Sequence, residues 1–155
     1  MQEFFFFNPK KVKLIKVNNS KSHILILYKI LKERDRRSNI SHKEIPTLED
    51  HKIFIKKFPY RYWFIIKKSR KILGSVYITK RNEISITLLK KSKSYFIETI
   101  NLILTNIKPL PAIASRRNGN FTLNLAPENK FYINILNDIG SKKIQETYLL
   151  NKSSI

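Results

Sequence analysis

The stretch YRYWFIIKKSRKILGSVYITKRNEISITLL (residues 60–89) predicts three consecutive β-strands. The first, residues 60–68, is apolar on both faces, which is typical of a central strand. The second spans residues 71–80, and in the third, residues 82–89, apolar and polar side chains alternate strictly. The turns between these segments are short, and short turns join antiparallel neighbours. We therefore expect an antiparallel meander, which argues against a doubly wound parallel sheet.

The segments before the meander predict one strand and two helices. Residues 11–17 (KVKLIKV) alternate as a strand does, and residues 22–35 carry apolar side chains at helical spacing. Residues 47–58 predict a second helix, which begins with Thr47 as its N-cap and has to end before Pro59. The first half of the chain therefore has the order β-α-α-β-β-β.

The segments after the meander alternate between helix and strand. Residues 94–107 predict a helix with Ser94 as its N-cap, and residues 120–125 (NFTLNL) predict a strand. The stretch PENKFYINILNDIG predicts a helix that ends at Gly140, and residues 142–150 (KKIQETYLL) predict a last strand. The complete order, β-α-α-β-β-β-α-β-α-β, predicts a mixed α/β fold with helices on both faces of a central sheet.

Length and composition limit the classes of protein. With 155 residues, the chain is expected to form a single domain, residues 1–155, around one core. The absence of cysteine excludes disulfides, thiolate metal sites and a cysteine nucleophile. His23, His42 and His51 lie far apart without ligand spacing, so no metal site is expected.

The chain is also expected to be soluble and cytoplasmic, without a membrane partner. Its longest apolar runs fall far short of the ~20 residues that span a bilayer. The N-terminal stretch MQEFFFFNPKK lacks the basic leader and apolar segment of a signal peptide.

The net charge is +20, from 31 basic and 11 acidic residues. Such a charge attracts nucleic acid, an anionic membrane or a phosphorylated cofactor. Lysines are spread along the whole chain, however, and lysine, isoleucine and asparagine dominate proteins from A/T-rich genomes of every function. The charge alone therefore does not select a function.

Two stretches of the chain resemble the GNAT superfamily of N-acetyltransferases. Residues 39–86, which contain NISHKEIPT, YWFII and NEISI, look like the N-terminal half of a bacterial GNAT subgroup. Residues 124–150, which contain NLAPEN and DIGSKKIQETYLL, resemble the ending of the same subgroup. The resemblance covers most of the chain, and it implies a GNAT-like central sheet and acetyl-CoA as the cofactor.

The resemblance also implies where acetyl-CoA binds. In GNAT enzymes the fourth strand splays away from the fifth, and the cofactor lies in the gap between them. Backbone groups at the end of the fourth strand, here Leu88 and Leu89, pair with the pantetheine arm. The following loop and helix N-terminus wrap the pyrophosphate with backbone N–H groups.

The corresponding loop in this chain departs from the family pattern. It reads KKSKSY, is shorter than usual and has no glycine, and Ser92 and Ser94 stand at glycine positions. Glycine is favoured there because it permits positive φ and close backbone approach. Lys90, Lys91 and Lys93 would place cations beside the pyrophosphate. The alternative is a solvated basic turn without a ligand.

The resemblance assigns roles to two polar residues. Glu83 opens the fourth strand, where GNAT enzymes often keep a carboxylate general base. Its alternative is an exposed glutamate paired with Lys80 or Arg81. Asn129 matches the asparagine that contacts the pantetheine arm, and its alternative is helix capping.

Three apolar or aromatic positions complete the candidate site. Leu136 stands where many relatives have tyrosine or phenylalanine, so the phenol that would protonate the leaving thiolate is absent there. Tyr132, one turn earlier, is the candidate substitute for that catalytic phenol, with core packing as the alternative. Trp63 is a candidate for the acceptor pocket, although a strand aromatic usually belongs to the core.

The expected function is acetyl-CoA-dependent N-acetylation by direct transfer to a primary amine. The acceptor would be a small molecule, such as an amino-sugar nucleotide, or a peptide, and the protein a monomer or homodimer. One alternative is a catalytically degenerate GNAT-like domain with a binding role. A basic RNA-binding module is the less favoured alternative, because the chain has no recognisable RNA-binding motif.

Overall fold

A computed structural model describes residues 11–34 and 44–150 of the chain. No helix in these two ranges is long and apolar enough to cross a membrane. The first nine predicted elements are confirmed, in the predicted order. They are β1 (Val12–Lys16), α1 (Lys21–Glu33), α2 (Leu48–Lys57), β2 (Tyr62–Lys68), β3 (Lys71–Ile78), β4 (Glu83–Leu88), α3 (Lys93–Asn106), β5 (Thr122–Leu123) and α4 (Lys130–Asp138).

The sheet is mixed, as predicted, and its strands lie in the order β1-β2-β3-β4-β5. Each strand from β1 to β4 is antiparallel to the next, so the meander is confirmed. Strand β5 is parallel to β4, because α3 carries the chain back across the sheet. Gly74 in β3 is required by close packing, since an added Cβ would lie 1.9 Å from the carbonyl oxygen of Thr87.

One face of the sheet packs against α1 and α2. Helix α1 buries Ile24, Leu27 and Ile30, the apolar stripe that its helical spacing predicts. These side chains form one cluster with Ile55 of α2 and with Trp63 and Ile65 of β2. The alternate residues of β2 therefore point toward this helical layer.

The other face packs against α3 and α4. Ile103 of α3 lies in a cluster with Phe64 and Ile66 of β2. Helix α4 lies beside α3, where Tyr132 and its neighbour Ile135 bury themselves against Phe96. Helices cover both faces of the sheet, as predicted.

The structure confirms two helix-end signals of the sequence and corrects a third. Thr47 caps α2 by accepting a hydrogen bond from the N–H of Asp50, and Gly140 follows α4 with a left-handed φ of 78°. The N-cap of α3 is Ser92, however, and not Ser94. Ser92 is extended, so that its hydroxyl can accept from the N–H of Tyr95 at 3.2 Å, whereas Ser94 already lies in the first turn.

The predicted last strand is wrong. Residues 142–150 pair with no strand among the described residues, and Leu149 is 91% exposed. A strand exists only through its ladder of hydrogen bonds, and the neighbouring β5 has two residues instead of the six predicted at 120–125. So short an edge strand offers few positions for a further partner.

Candidate functional site

The sheet opens between β4 and β5. These strands pair at only two positions, Glu83 with Thr122 and Ile84 with Leu123. Strand β4 continues to Leu88, but no strand in the described part of the chain pairs with its last four residues on this edge. The chain therefore has the divergence of fourth and fifth strands that the resemblance implies.

The hydrogen-bonding phase of β4 decides which backbone groups line this opening. The carbonyl of Glu83 accepts a hydrogen bond from the N–H of Thr79, directly after β3, at 2.9 Å. The N–H of Leu89 donates to the carbonyl of Leu73 in β3, also at 2.9 Å. Since alternate residues of a strand bond to opposite sides, Ile86 and Leu88 direct their backbone groups into the opening. Leu88 therefore lies where a contact with the pantetheine arm was expected, whereas the N–H of Leu89 already donates to Leu73. Ile86 was not identified from the sequence, because the side to which its backbone groups point depends on the register of β4 with β3.

The opening leads directly to the N-terminus of α3. The N–H groups of Tyr95 and Phe96 bond to Ser92, to its hydroxyl and its carbonyl respectively. The N–H groups of Lys93 and Ser94 have no hydrogen-bond partner within the described ranges. A helix N-terminus with free N–H groups attracts anions through its partial positive charge. A phosphate group is the type of ligand that such an end can hold.

The loop before α3 needs no glycine for its backbone conformation. None of residues 89–94 has a positive φ, so non-glycine residues adopt this backbone without strain. The serines that replace the expected glycines are therefore compatible with the observed turn.

The lysines of this loop reach toward α4. The Nζ atom of Lys93 lies 3.3 Å from Oδ2 of Asp138, and that of Lys91 lies 5.9 Å from the ring centre of Phe131. The Lys93 pair is more than half exposed, and such surface pairs contribute little to stability. Both cations can therefore turn toward a bound phosphate at small cost.

Glu83 lies at the closed end of the opening and is held by neutral donors. Its carboxylate accepts hydrogen bonds from the Thr79 hydroxyl at 3.1 Å and from the Asn124 side-chain amide at 3.5 Å. Among the described residues it forms no ion pair, so the alternative pairing with Lys80 or Arg81 is not observed. A carboxylate has about four acceptor positions, which leaves capacity for an amine.

Tyr132 lies at the other end of the opening. Its ring is 7% exposed and packs against Phe96 with centroids 4.5 Å apart. Burial raises the pKa of the Tyr132 phenol, and the nearby N–H of Ser92 opposes this rise. That contact lacks the geometry of a full hydrogen bond, so the hydroxyl has no partner within the described ranges. The cluster that contains Tyr132 packs against Ile86 and Leu88, and its phenol lies beside Ser92, so Tyr132 lies toward the α3 end of the opening, whereas Glu83 begins β4.

Asn129 occupies the N-cap position of α4 without acting as a cap. Its side chain makes no capping hydrogen bond, because its φ and ψ of −81° and 53° differ from the extended conformation of a cap. The capping alternative is therefore not observed. The amide side chain remains available to a ligand.

Trp63 lies in the core cluster between β2 and the helices α1 and α2. It is 5% exposed and packs edge-on against Tyr60 and Phe54, with ring centroids 5.0 and 6.0 Å away. Its indole N–H has no partner among the described residues. The placement agrees with the core alternative and not with an acceptor pocket.

No metal site is formed by the described residues, in which no three histidine or carboxylate side chains gather. His51 is buried between helices, and burial, with a smaller contribution from Arg34, lowers its pKa. His42 and the rest of residues 35–43 lie outside the described ranges.

Comparisons with known proteins identify the fold. No protein-family model and no curated protein matches the sequence. An acetyltransferase from Thermus thermophilus matches in structure with a TM-score of 0.53 and 13% identity, over 63% of this chain and 70% of that one. RimL, a ribosomal alpha-N-protein acetyltransferase in complex with coenzyme A, matches with a TM-score of 0.58 and 11% identity, over 84% and 79%. With a mixed sheet and four helices in the described ranges, and with these two structural neighbours, the chain has the fold of the GNAT N-acetyltransferases.

Proposed function

We propose that this chain is an acetyl-CoA-dependent N-acetyltransferase that acts on a primary amine of a small molecule or a peptide. The observation that carries the proposal is the opening along β4, which begins at Glu83 and ends at the N-terminus of α3. Its free backbone groups and its anion-attracting end match a ligand with an amide-containing arm and a pyrophosphate. RimL, with a similar fold, was solved with coenzyme A.

Different parts of the opening would hold different parts of acetyl-CoA. Ile86 and Leu88 present backbone groups to the amides of the pantetheine arm, and the Asn129 side chain is available to the same arm. The N–H groups of Lys93 and Ser94 would bind the pyrophosphate. The phenol of Tyr132 lies next to Ser92, which favours a contact with the pyrophosphate end over protonation of the thiolate.

Glu83 is the proposed general base. It would accept a proton from the acceptor ammonium, and the freed amine would attack the carbonyl carbon of the thioester. The C–N bond forms and the C–S bond breaks; the nitrogen then releases its second proton to solvent, and the leaving thiolate takes up a proton from solvent. Backbone N–H groups of β4 would polarise the thioester carbonyl, so no covalent enzyme intermediate is required.

Calorimetry with acetyl-CoA and a thiol-release assay test this proposal together. We expect saturable binding and a rise in melting temperature, because a ligand that binds only the folded state stabilises it. We also expect free thiol when a panel of small amines and peptide N-termini is added. An unchanged melting temperature and no binding heat at millimolar acetyl-CoA would exclude the proposed function.

A second candidate is a domain that binds CoA without transferring an acetyl group. The packing of Leu136 against the α3–α4 cluster favours it, since many relatives have tyrosine or phenylalanine there and the phenol of Tyr132 lies next to Ser92. Binding of acetyl-CoA without any acetylated product, followed by mass spectrometry across the amine panel, would support this candidate over the enzyme.

A further inference from the structure

A basic crevice lies next to the closed end of the opening. It has a volume of about 380 Å³ and is formed by the turn after β3 and by residues 112–118, which follow α3. Arg81, Arg116 and Arg117 line it, together with small side chains such as Ala112 and Ala114. The proposed acetyl-CoA site does not include any of these residues.

The walls of the crevice are held rigidly. Arg117 donates from Nε to the carbonyl of Pro111 at 2.7 Å and from Nη1 to the carbonyl of Lys80 at 3.1 Å. Its backbone also forms two hydrogen bonds with Ile113, each 2.9 Å long. The crevice is therefore preorganised, and a ligand would bind it without ordering the loop first.

Asn82 fixes both walls to each other. It is 0% exposed and adopts a left-handed φ of 63°, which asparagine tolerates better than most residues. Its side-chain amide donates to the carbonyls of Leu110 and Asn118 and accepts from the N–H of Leu110, each at 2.8 Å. The turn that precedes Glu83 and the loop that carries the arginines thus form one unit.

The charge in the crevice is not compensated within residues 11–34 and 44–150. None of the three guanidinium groups forms an ion pair with a carboxylate there. Guanidinium groups of like charge in one crevice repel one another. A bound anion would relieve this repulsion, and the planar guanidinium fork suits a carboxylate or a phosphate.

The crevice is close to the proposed general base. Arg81 precedes Glu83 by two residues, so their Cα atoms are at most about 7 Å apart. Arg117 contacts Lys80, the neighbour of Thr79, and the Thr79 hydroxyl donates to the Glu83 carboxylate. An amine beside Glu83 can therefore carry a second group that reaches the arginines through a short spacer.

We infer that this crevice binds an anionic group of the acceptor, so that the acceptor is a primary amine carrying a carboxylate or a phosphate. The inference rests on the proposed acetyl transfer, because Glu83 is taken as the position of the amine. The rigid walls, and the absence of aromatic side chains from the lining, favour an anionic group over single-stranded RNA, whose bases stack on aromatic rings.

Amide NMR titrations with three matched amines test the inference. Phosphoethanolamine carries a phosphate, β-alanine carries a carboxylate, and ethanolamine carries neither. We expect saturable shifts at residues 112–118 with one or both anionic amines, and none of comparable size with ethanolamine. The anion that gives the tighter binding identifies the charged group of the acceptor.

Two variants and a control locate the binding. Arg81→Ala and Arg116→Ala should each weaken binding of the anionic amine by about tenfold or more, the range of a charge-assisted hydrogen bond. Arg70→Ala changes an exposed arginine directly before β3, at the opposite end of that strand from Arg81. This variant should leave the affinity for the anionic amine unchanged. Arg117 is not suitable for substitution, because it holds the loop.

The outcomes separate this inference from the proposed function. Shifts at residues 112–118 that are equal for ethanolamine and the anionic amines, or absent for all three, would overturn the anion subsite. Shifts there with a single-stranded RNA oligomer but not with either anionic amine would overturn it as well. If the proposed function is wrong, acetyl-CoA should instead cause no amide shifts at residues 86–94.

Discussion

At the scale of single residues, Glu83 and Tyr132 receive different roles because they lie at opposite ends of β4. Glu83 is held by Thr79 and Asn124, neither of which carries a charge. Tyr132 is buried beside Ser92, and its hydroxyl lacks a partner among the described residues. The first position suits proton transfer, and the second suits a contact with the donor substrate.

Replacing Glu83 tests the assignment of the general base. Glu83→Gln should lower kcat by about 10²–10⁴-fold, the usual contribution of a positioned base, while acetyl-CoA affinity stays unchanged. Steady-state kinetics and calorimetry measure the two effects. Glu49→Gln, which changes an exposed glutamate of α2, is the matched control. Equal activity of the two variants would remove Glu83 from the mechanism.

Replacing Tyr132 distinguishes a binding role from core packing alone. Tyr132→Phe keeps the ring but removes a buried hydroxyl that has no partner within the described ranges, so stability in urea should be unchanged or rise by about 1 kcal/mol. Acetyl-CoA affinity should fall, because the phenol no longer donates to the ligand. An affinity equal to that of the wild type would leave Tyr132 as a core residue only.

The lowered pKa of His51 predicts how the stability of the fold changes with pH. Burial, and next the charge of Arg34, hold its pKa below the ordinary value of 6.5, so the unfolded chain binds a proton more readily than the folded chain. Stability should therefore fall as the pH drops from about 6.5 through the lower folded-state pKa. His51→Gln should reduce the difference between urea midpoints at pH 7.5 and 5.5. The same difference in both proteins would contradict this prediction.

At the scale of elements, periodicity and capping signals were sufficient for the helices and for β1 to β4. The last strand could not be predicted reliably, because strand formation at 142–150 depends on a partner, and β5 is only two residues long. The sequence predicted Ser94 as the cap of α3, whereas the extended backbone of Ser92 makes Ser92 the cap. The resemblance predicted Glu83, Leu88 and Asn129 as site residues, and these roles stay predictions.

Helix α3 provides a test of anion binding by backbone N–H groups. Lys93→Pro removes the N–H and the charge of the first helical residue, and the extended Ser92 before it tolerates a following proline. Lys93→Ala removes the charge alone. We expect the proline variant to bind acetyl-CoA about 10- to 100-fold more weakly than the alanine variant, the range of a hydrogen bond to a charged group.

The control for this substitution is Leu48→Pro, which places proline at the first position of α2 after the extended Thr47. It should leave acetyl-CoA affinity unchanged. Equal affinities for Lys93→Pro and Lys93→Ala would show that the N-terminus of α3 does not hold the pyrophosphate.

At the scale of the whole molecule, the proposed acetyl-CoA site depends on the divergence of β4 from β5. The sequence predicted a mixed sheet, but the hydrogen-bonding phase that turns Ile86 and Leu88 toward the gap depends on the register with β3. The role of Trp63 also depended on this level of structure, because the face of β2 that meets α1 and α2 makes it a core residue. Of the 31 basic residues in the sequence, Arg81, Arg116 and Arg117 line one crevice, which no single stretch of the sequence indicates.

The most direct test of the central claim is an amide NMR titration of the protein with acetyl-CoA. We predict saturable shifts for the amides of Ile86, Leu88, Lys93 and Ser94. The shifts for β1, at the opposite edge of the sheet, should be much smaller. Saturable shifts confined to other surfaces, or none at millimolar acetyl-CoA, would contradict the claim that the opening along β4 binds the acetyl donor.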